Sequence, residues 1–225
     1  MKIARYIDHA VLKPAMTPEE VRSAIQLGID NDVYSVCVQP RDIEVALAMC
    51  EGTNTLVSCV LDFPHGCGGA QAKRAAARAY AEMGVREIDM VMNYGAARGG
   101  DWAVVREEIQ AVVEEAHARG VLVKVIFETC EMDENCIRAG VDVCVDAGAD
   151  FVKTSTGFAA KGATPEAVRA MVSQAAGRIR VKASGGIRNI QDARGYVQMG
   201  AQRLGVGYST TPVLVAGEGE SAEAY

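Results

Sequence analysis

The chain has 225 residues, 49% of them apolar and 23% charged, enough for one globular domain with a sizeable core. A net charge of −6, a pI near 5.2 and the lack of any basic run argue against nucleic acid as the main partner. No apolar stretch approaches the ~18 residues of a membrane span, and no signal-like segment opens the chain, so neither membrane insertion nor secretion is expected.

The seven cysteines, at 37, 50, 59, 67, 130, 136 and 144, are odd in number and lack CxxC spacing. They read as reduced thiols in a cytoplasmic protein. His9, His65 and His117 have unrelated spacings, so no metal site is expected, and no cofactor. No Pro/Ser-rich linker divides the sequence, and residues 1–225 read as a single domain.

In chain order, a brief first strand lies near Tyr6-Ile7-Asp8. A helix starts at Thr17-Pro18-Glu19-Glu20, with Thr as N-cap and Pro in the first turn. Strand two spans Tyr34–Val38, a helix Arg41–Cys50, and strand three Thr55–Leu61. An alanine-rich helix over Gln71–Met83 is stopped by Gly84. Strand four is Glu87–Met92, followed by an amphipathic helix over Trp102–Arg119. Strand five is Leu122–Phe127, a helix covers Glu134–Ala147, and strand six is Phe151–Thr154. Another Thr-Pro-Glu start at Thr164 opens the next helix; strands seven and eight are Arg180–Ala183 and Gln202–Val206. A stunted closing helix and a mobile tail over about 216–225 are expected after that.

Strands alternating with helices indicate a parallel sheet with helical crossovers. Eight such units fit a compact (β/α)8 TIM barrel. An open doubly wound sheet is the alternative, disfavoured because no nucleotide fingerprint follows the first strand.

In such barrels catalytic side chains project from the C-terminal strand ends. Here those ends carry Asp8, Cys37, Asp62, Asp89, Lys124, Lys153, Lys182, and then Gly205 and Gly207. One lysine in a strand can simply snorkel to water. Three on successive strands, with Asp89 inside an apolar run, point instead to a catalytic cluster. Lowering a lysine pKa from about 10.4 to near 7 takes roughly 4–5 kcal/mol. A second ammonium about 4 Å away would supply ~4 kcal/mol at an effective dielectric near 20. On that arithmetic a neighbouring lysine provides most of the shift and burial the rest. The neutral amine can then attack a carbonyl, and the iminium so formed is an electron sink for C–C bond cleavage. A carboxylate with a lysine partner can move the protons.

Ser184-Gly185-Gly186 and Gly205-Val206-Gly207 follow the last two strands, where barrels often bind phosphate on backbone N–H groups. Thr156-Gly157 offers a third edge. The plainer reading is that these glycines only make tight turns.

These blocks resemble the deoxyribose-phosphate aldolase family, class I (lysine Schiff-base) aldolases on a TIM barrel. The resemblance runs through Ile7-Asp8-His9 with Leu12-Lys13-Pro14, Ser35–Val38, Asp62–Gly66, Glu87–Val91, Val123–Ile126 with Glu128-Thr129-Cys130, Ala149–Phe158 and Val181–Arg188. It implies Lys153 as the Schiff-base lysine, Lys182 as the second lysine that lowers its pKa, and Asp89 as the proton-transfer carboxylate. It also implies Asp8, Lys124 and Cys37 near the substrate and Gly157, Gly185 and Gly186 in the phosphate-binding loops, to which the loop reading adds Thr156, Gly205 and Gly207 as substrate-binding candidates. A terminal tyrosine, here Tyr225, is implied to reach the active site.

The implied reaction is reversible cleavage of 2-deoxy-D-ribose 5-phosphate to acetaldehyde and glyceraldehyde 3-phosphate. It would be carried out without metal, by a cytoplasmic homodimer acting on small phosphorylated sugar and aldehyde substrates. Two positions depart from the family pattern: Ala10 stands where a threonine is usual, and the loop Gly205–Ser209 lacks consecutive serines. Related iminium chemistry on another sugar phosphate or aldehyde donor is therefore an alternative. A non-catalytic sugar-phosphate-binding barrel is a third reading.

Overall fold

The computed structural model of the chain describes residues 2–220. Eight parallel strands close into a barrel in sequence order, with β8 hydrogen-bonded back to β1. They are β1 (Ile7–Val11), β2 (Ser35–Val38), β3 (Leu56–Leu61), β4 (Glu87–Val91), β5 (Leu122–Ile126), β6 (Phe151–Lys153), β7 (Arg180–Ser184) and β8 (Arg203–Gly207). The helices outside are α1 (Pro18–Asp30), α2 (Ile43–Cys50), α3 (Gly69–Met83), α4 (Tyr94–Arg98), α5 (Trp102–His117), α6 (Glu134–Asp146), α7 (Pro165–Ala175), α8 (Ile190–Gln198) and α9 (Thr211–Glu220). This is the (β/α)8 TIM barrel that the alternation implies. No helix among the described residues is long and apolar enough to cross a membrane.

The helix starts follow from local chemistry. Thr17 and Glu20 form a reciprocal capping box at α1. Asp101, Asp133, Thr164 and Asn189 each accept a backbone N–H of the first turn of α5, α6, α7 and α8. The sequence reading differs from the structure in small pieces. α2 is preceded by a single 3-10 turn over Pro40–Asp42. α4 was not anticipated: it has only five residues and is started by Asn93, whose side chain accepts from the Ala96 N–H at 3.0 Å. α9 has ten residues and takes up the beginning of the stretch read as a tail. Residues 221–225 lie outside the described residues.

Period-two alternation splits each strand between two environments. Ile7, Val36, Cys59, Ile88, Val123, Val125, Val152, Val181 and Leu204 join the main apolar core between strands and helices. The residues between them face the barrel interior, which is unusually polar. A small separate apolar cluster of Leu12, Cys37 and Val60, with Ala10 and Phe63 packed on it, lines one side of the mouth.

Candidate active site

Strand register stacks the interior charges. Asp89 pairs in register with Lys124, Lys153 with Lys182, and Asp8 with Gly205. Asp8, Asp89, Lys124 and Lys182 therefore sit within their strands rather than at the C-terminal ends expected from sequence, and only Lys153 closes its strand. The cluster lies inside the barrel, below the loops.

Its hydrogen bonds are dense. Asp89 accepts from Lys124 at 2.7 Å through Oδ1, and from both Lys153 and Lys182 at 2.8 Å through Oδ2. Lys182 also pairs with Asp8. Lys124 pairs with Glu87 at 2.5 Å, and Arg203 donates to Asp8 at 2.7 Å and to Glu87 at 3.0 and 3.2 Å. All seven side chains are buried. Four are cationic (Lys124, Lys153, Lys182, Arg203) and three are carboxylates (Asp8, Glu87, Asp89). Fully ionised, the group would hold one surplus positive charge away from water, which is unfavourable.

Lys153 is the cation least compensated within it. Lys124 and Lys182 each have at least two carboxylate partners, whereas Lys153 has a share of Asp89 alone. Burial pushes the Lys153 amine below its ordinary pKa; Asp89 opposes that and Lys182 adds to it. Lys182 goes the other way: burial favours its neutral form, but Asp8 and Asp89 together hold it above the usual lysine value. Lys124 likewise overcomes burial, through Asp89, Glu87 and Asp8. Burial would raise Asp89, but the three lysines hold it well below the carboxylate range. The sequence arithmetic gave the neighbouring lysine the larger share of the Lys153 shift; the structure gives it to burial. The reason is that Asp8 and Asp89 compensate the charge on Lys182.

Above the cluster is a cavity of about 430 Å³, lined at its base by Asp8, Cys37, Lys153 and Lys182. Its walls include Thr156, Gly157, Gly185, Gly186, Gly205 and Gly207. The sequence candidates thus converge on the cavity, with four exceptions. Lys124 and Asp89 do not line the cavity; they lie beneath it, and Asp89 reaches it only through Lys153 and Lys182, two of the three lysines it binds. Asp62 turns away, accepting the Gly68 N–H at 2.8 Å and facing the buried Lys73 at 3.4 Å. Tyr225 lies outside the described residues.

Gly185 and Gly186 have φ of +85° and +77°, a turn that side chains resist. Gly205 serves close approach: a Cβ there would sit 2.2 Å from Ser184 Oγ. Where consecutive serines would follow the last strand, Ser209 and Thr210 line the cavity, beside Tyr208. Burial raises the Cys37 thiol, leaving it protonated beside the amines.

Sequence reasoning missed three members. Glu87 shares a strand face with Asp89 by period two, a signal that was available. Arg203 shares one with Gly205. Glu128, held at φ +58°, is buried and accepts the Thr156 hydroxyl and N–H. The Thr156 proton is therefore already donated, and burial raises the Glu128 carboxyl. Among the described residues no cluster of His, Cys, Asp or Glu is arranged to hold a metal.

The sequence model of the DeoC/LacD family aldolases matches residues 2–210. The chain belongs to that family. This DeoC/LacD-family chain is 41% identical to the deoxyribose-phosphate aldolase of Deinococcus radiodurans over 225 residues, covering 100% of both. Among solved structures, it superposes on "QR15, an Aldolase" with TM-score 0.92 and 34% identity, covering 100% of each chain. It superposes on the tetrameric deoxyribose phosphate aldolase of Aeropyrum pernix with TM-score 0.87 and 31% identity, covering 99% of this chain and 91% of that one. Membership makes the chain an aldolase, a lyase on a TIM barrel.

Proposed function

We propose that this aldolase cleaves 2-deoxy-D-ribose 5-phosphate reversibly to acetaldehyde and D-glyceraldehyde 3-phosphate, through a Schiff base on Lys153. The observation that carries the reading is the asymmetry among the buried cations. One amine, at the base of a sugar-sized cavity, has only a shared carboxylate, while its neighbours are multiply paired.

In the cleavage direction the neutral Lys153 Nζ attacks the substrate aldehyde carbon. The carbinolamine hydroxyl takes a proton and leaves as water, forming the iminium. Lys182 lines the cavity and is paired with both Asp8 and Asp89, so its ammonium, with Asp89 as relay from Lys153, supplies the proton to that hydroxyl. The Lys182–Asp89 couple, having given up a proton to the departing water, takes one from the C3 hydroxyl; the C2–C3 bond breaks and its electron pair enters the iminium as an enamine. Glyceraldehyde 3-phosphate departs. Protonation of the enamine carbon and hydrolysis then release acetaldehyde and restore the amine. Backbone N–H groups of the Gly157, Gly185–Gly186 and Gly205–Gly207 loops, with Ser209 and Thr210, receive the phosphate. Asp8 and Cys37 line the carbonyl end.

A second reading, another aldehyde donor or sugar phosphate, has its own observation. Ala10, Leu12 and Cys37 line the cavity as part of an apolar wall, where hydroxyl recognition of the donor end is absent. We assign a reducing, cytoplasmic setting, which the free cysteines fit, and a homodimer, which size-exclusion chromatography with light scattering would test.

The decisive experiment is borohydride trapping with intact-mass and peptide readout. Deoxyribose 5-phosphate and acetaldehyde should each give an adduct on Lys153, absent in Lys153→Ala. Trapping of acetaldehyde alone would move the assignment to the second reading. A folded protein with no adduct at Lys153 would overturn both.

A further inference from the structure

Beneath the lysines, the barrel floor holds an ion pair that reaches no cavity wall. Arg203 sits between Asp8 and Glu87, and its guanidinium carbon lies 3.5 Å from the centroid of the Tyr34 ring. Glu87 completes the link by pairing with Lys124. Neither Arg203 nor Glu87 lines the substrate cavity or contacts Lys153. They are also costly to keep: two buried charges would pack more easily as apolar side chains.

On the Schiff-base reading of Lys153, we propose that Arg203 and Glu87 are positioning residues that fix the charge balance of the barrel interior, and through it the protonation state of Lys153. The interior is close to a closed system. Its charged or titratable groups around Lys153 are Asp8 on β1, Cys37 on β2, Glu87 and Asp89 on β4, Lys124 on β5 with Glu128 just beyond it, Lys182 on β7 and Arg203 on β8. β3 carries no charged residue, and its thiol, Cys59, belongs to the outer core. Arg203 is a cation that cannot give up its proton. Its presence therefore makes cations outnumber the three floor carboxylates by one, and the least-paired amine is the one that goes neutral. Removing Arg203 levels the count and lets Lys153 keep its proton. Removing Glu87 adds a second surplus charge and drives Lys153 further toward the neutral amine. Arg203 also supports Asp8, which holds Lys182, so geometry and charge act in the same direction.

The test measures the initial rate of acetaldehyde adduct formation at Lys153 with cyanoborohydride from pH 5 to 9, on wild type, Arg203→Gln, Glu87→Gln and the double variant. The midpoint reports the Lys153 amine. One charge about 8–10 Å away at an effective dielectric near 20 shifts such a midpoint on the order of one pH unit. The expected result is a midpoint about one unit higher in Arg203→Gln, about one unit lower in Glu87→Gln, and near wild type in the double variant, where one cation and one carboxylate are removed together. Activity lost in Arg203→Gln should return as pH is raised. Glu87→Gln is nearly isosteric, so its folding, checked by circular dichroism, keeps the test open if Arg203→Gln does not fold. Shifts of the same sign in both single variants, or an unshifted midpoint in folded Glu87→Gln, would overturn the proposal while leaving Lys153 as the adduct site. A wild-type protein without any adduct at Lys153 would overturn it together with the aldolase mechanism.

Discussion

Asp89→Asn removes the one carboxylate that binds three lysines and keeps the shape of the side chain. On the proposed Schiff-base reading, with Lys153 neutral, three cations of the wild-type interior face three carboxylates; the variant leaves one ammonium in surplus. An ammonium about 3 Å from a carboxylate is worth ~5 kcal/mol at an effective dielectric near 20. The loss is capped, because the surplus lysine can shed its proton instead. Moving a lysine of pKa about 10.4 to the neutral form takes ~4–5 kcal/mol at pH 7 and only ~2 kcal/mol at pH 9. The sign follows from linkage: the unfolded chain binds that proton below about pH 10.4 and the folded variant does not, so stability rises with pH. Urea unfolding should therefore show Asp89→Asn destabilised by about 4–5 kcal/mol at pH 7, shrinking to about 2 kcal/mol at pH 9. Chemistry should separate from binding as well. The Lys153 amine stays neutral and still forms a trappable adduct with acetaldehyde, whereas turnover of deoxyribose 5-phosphate falls by roughly 10²–10⁴ for want of the proton carrier. A stability deficit that does not change with pH, or a folded variant that loses adduct and turnover in equal proportion, would refute the reasoning.

His9 is buried, its Nε2 donating to the Ala24 carbonyl and its Nδ1 accepting from the Thr211 hydroxyl, both at 2.8 Å. Burial pushes its pKa down to about 4, so the stability it contributes above pH 6.5 is lost as pH falls toward 4. Between pH 7 and 4.5 the wild type should lose about 2–2.5 kcal/mol that His9→Gln does not, measured by urea unfolding at the two pH values. Gly205→Ala would place a Cβ 2.2 Å from Ser184 Oγ and 3.3 Å from Lys182 Cε. A stability loss of about 1–3 kcal/mol should come with a larger fall in kcat than in substrate affinity, because Lys182 is displaced. Lys73→Met strands the buried Glu108 and should cost about 3–5 kcal/mol, with Lys73→Met/Glu108→Leu recovering most of it in thermal unfolding.

Much of this was readable from the chain because local rules carry it. The Thr-Pro-Glu starts, Gly84 after the alanine-rich helix, and short apolar runs with a charged residue inside give the barrel and name Lys153, Lys182 and Asp89. What escaped was set by distance along the chain. Glu87 opens its strand after Arg86 and looks like a solvated edge, and Arg203 next to Gln202 looks the same. Their partnership spans 116 residues, so no window of sequence contains it. Depth was misjudged for a related reason. Strand ends can be guessed within a residue or two, but whether Lys124 faces the substrate or lies one layer below depends on barrel register, which only closure defines. The size of each lysine's contribution was also hidden, since Asp8 masks Lys182 from 174 positions away.

The pairing of Asp8 has a consequence for how the protein is made. Ser35 on β2 donates to Asp8 at 2.7 Å, but the two cations closest to that carboxylate, Lys182 and Arg203, are both encoded in the last fifth of the chain, and the contact with Arg203 spans 195 residues. While the chain emerges from the ribosome, β1 carries a carboxylate that cannot be buried until β7 and β8 arrive. Early strands can pair, and Ser35 and Lys124 already face Asp8, but its two closest cations come only with β7 and β8. The last strand thus closes two things in one step: the β8–β1 seam of the ring and the Arg203 bridge between Asp8 and Glu87.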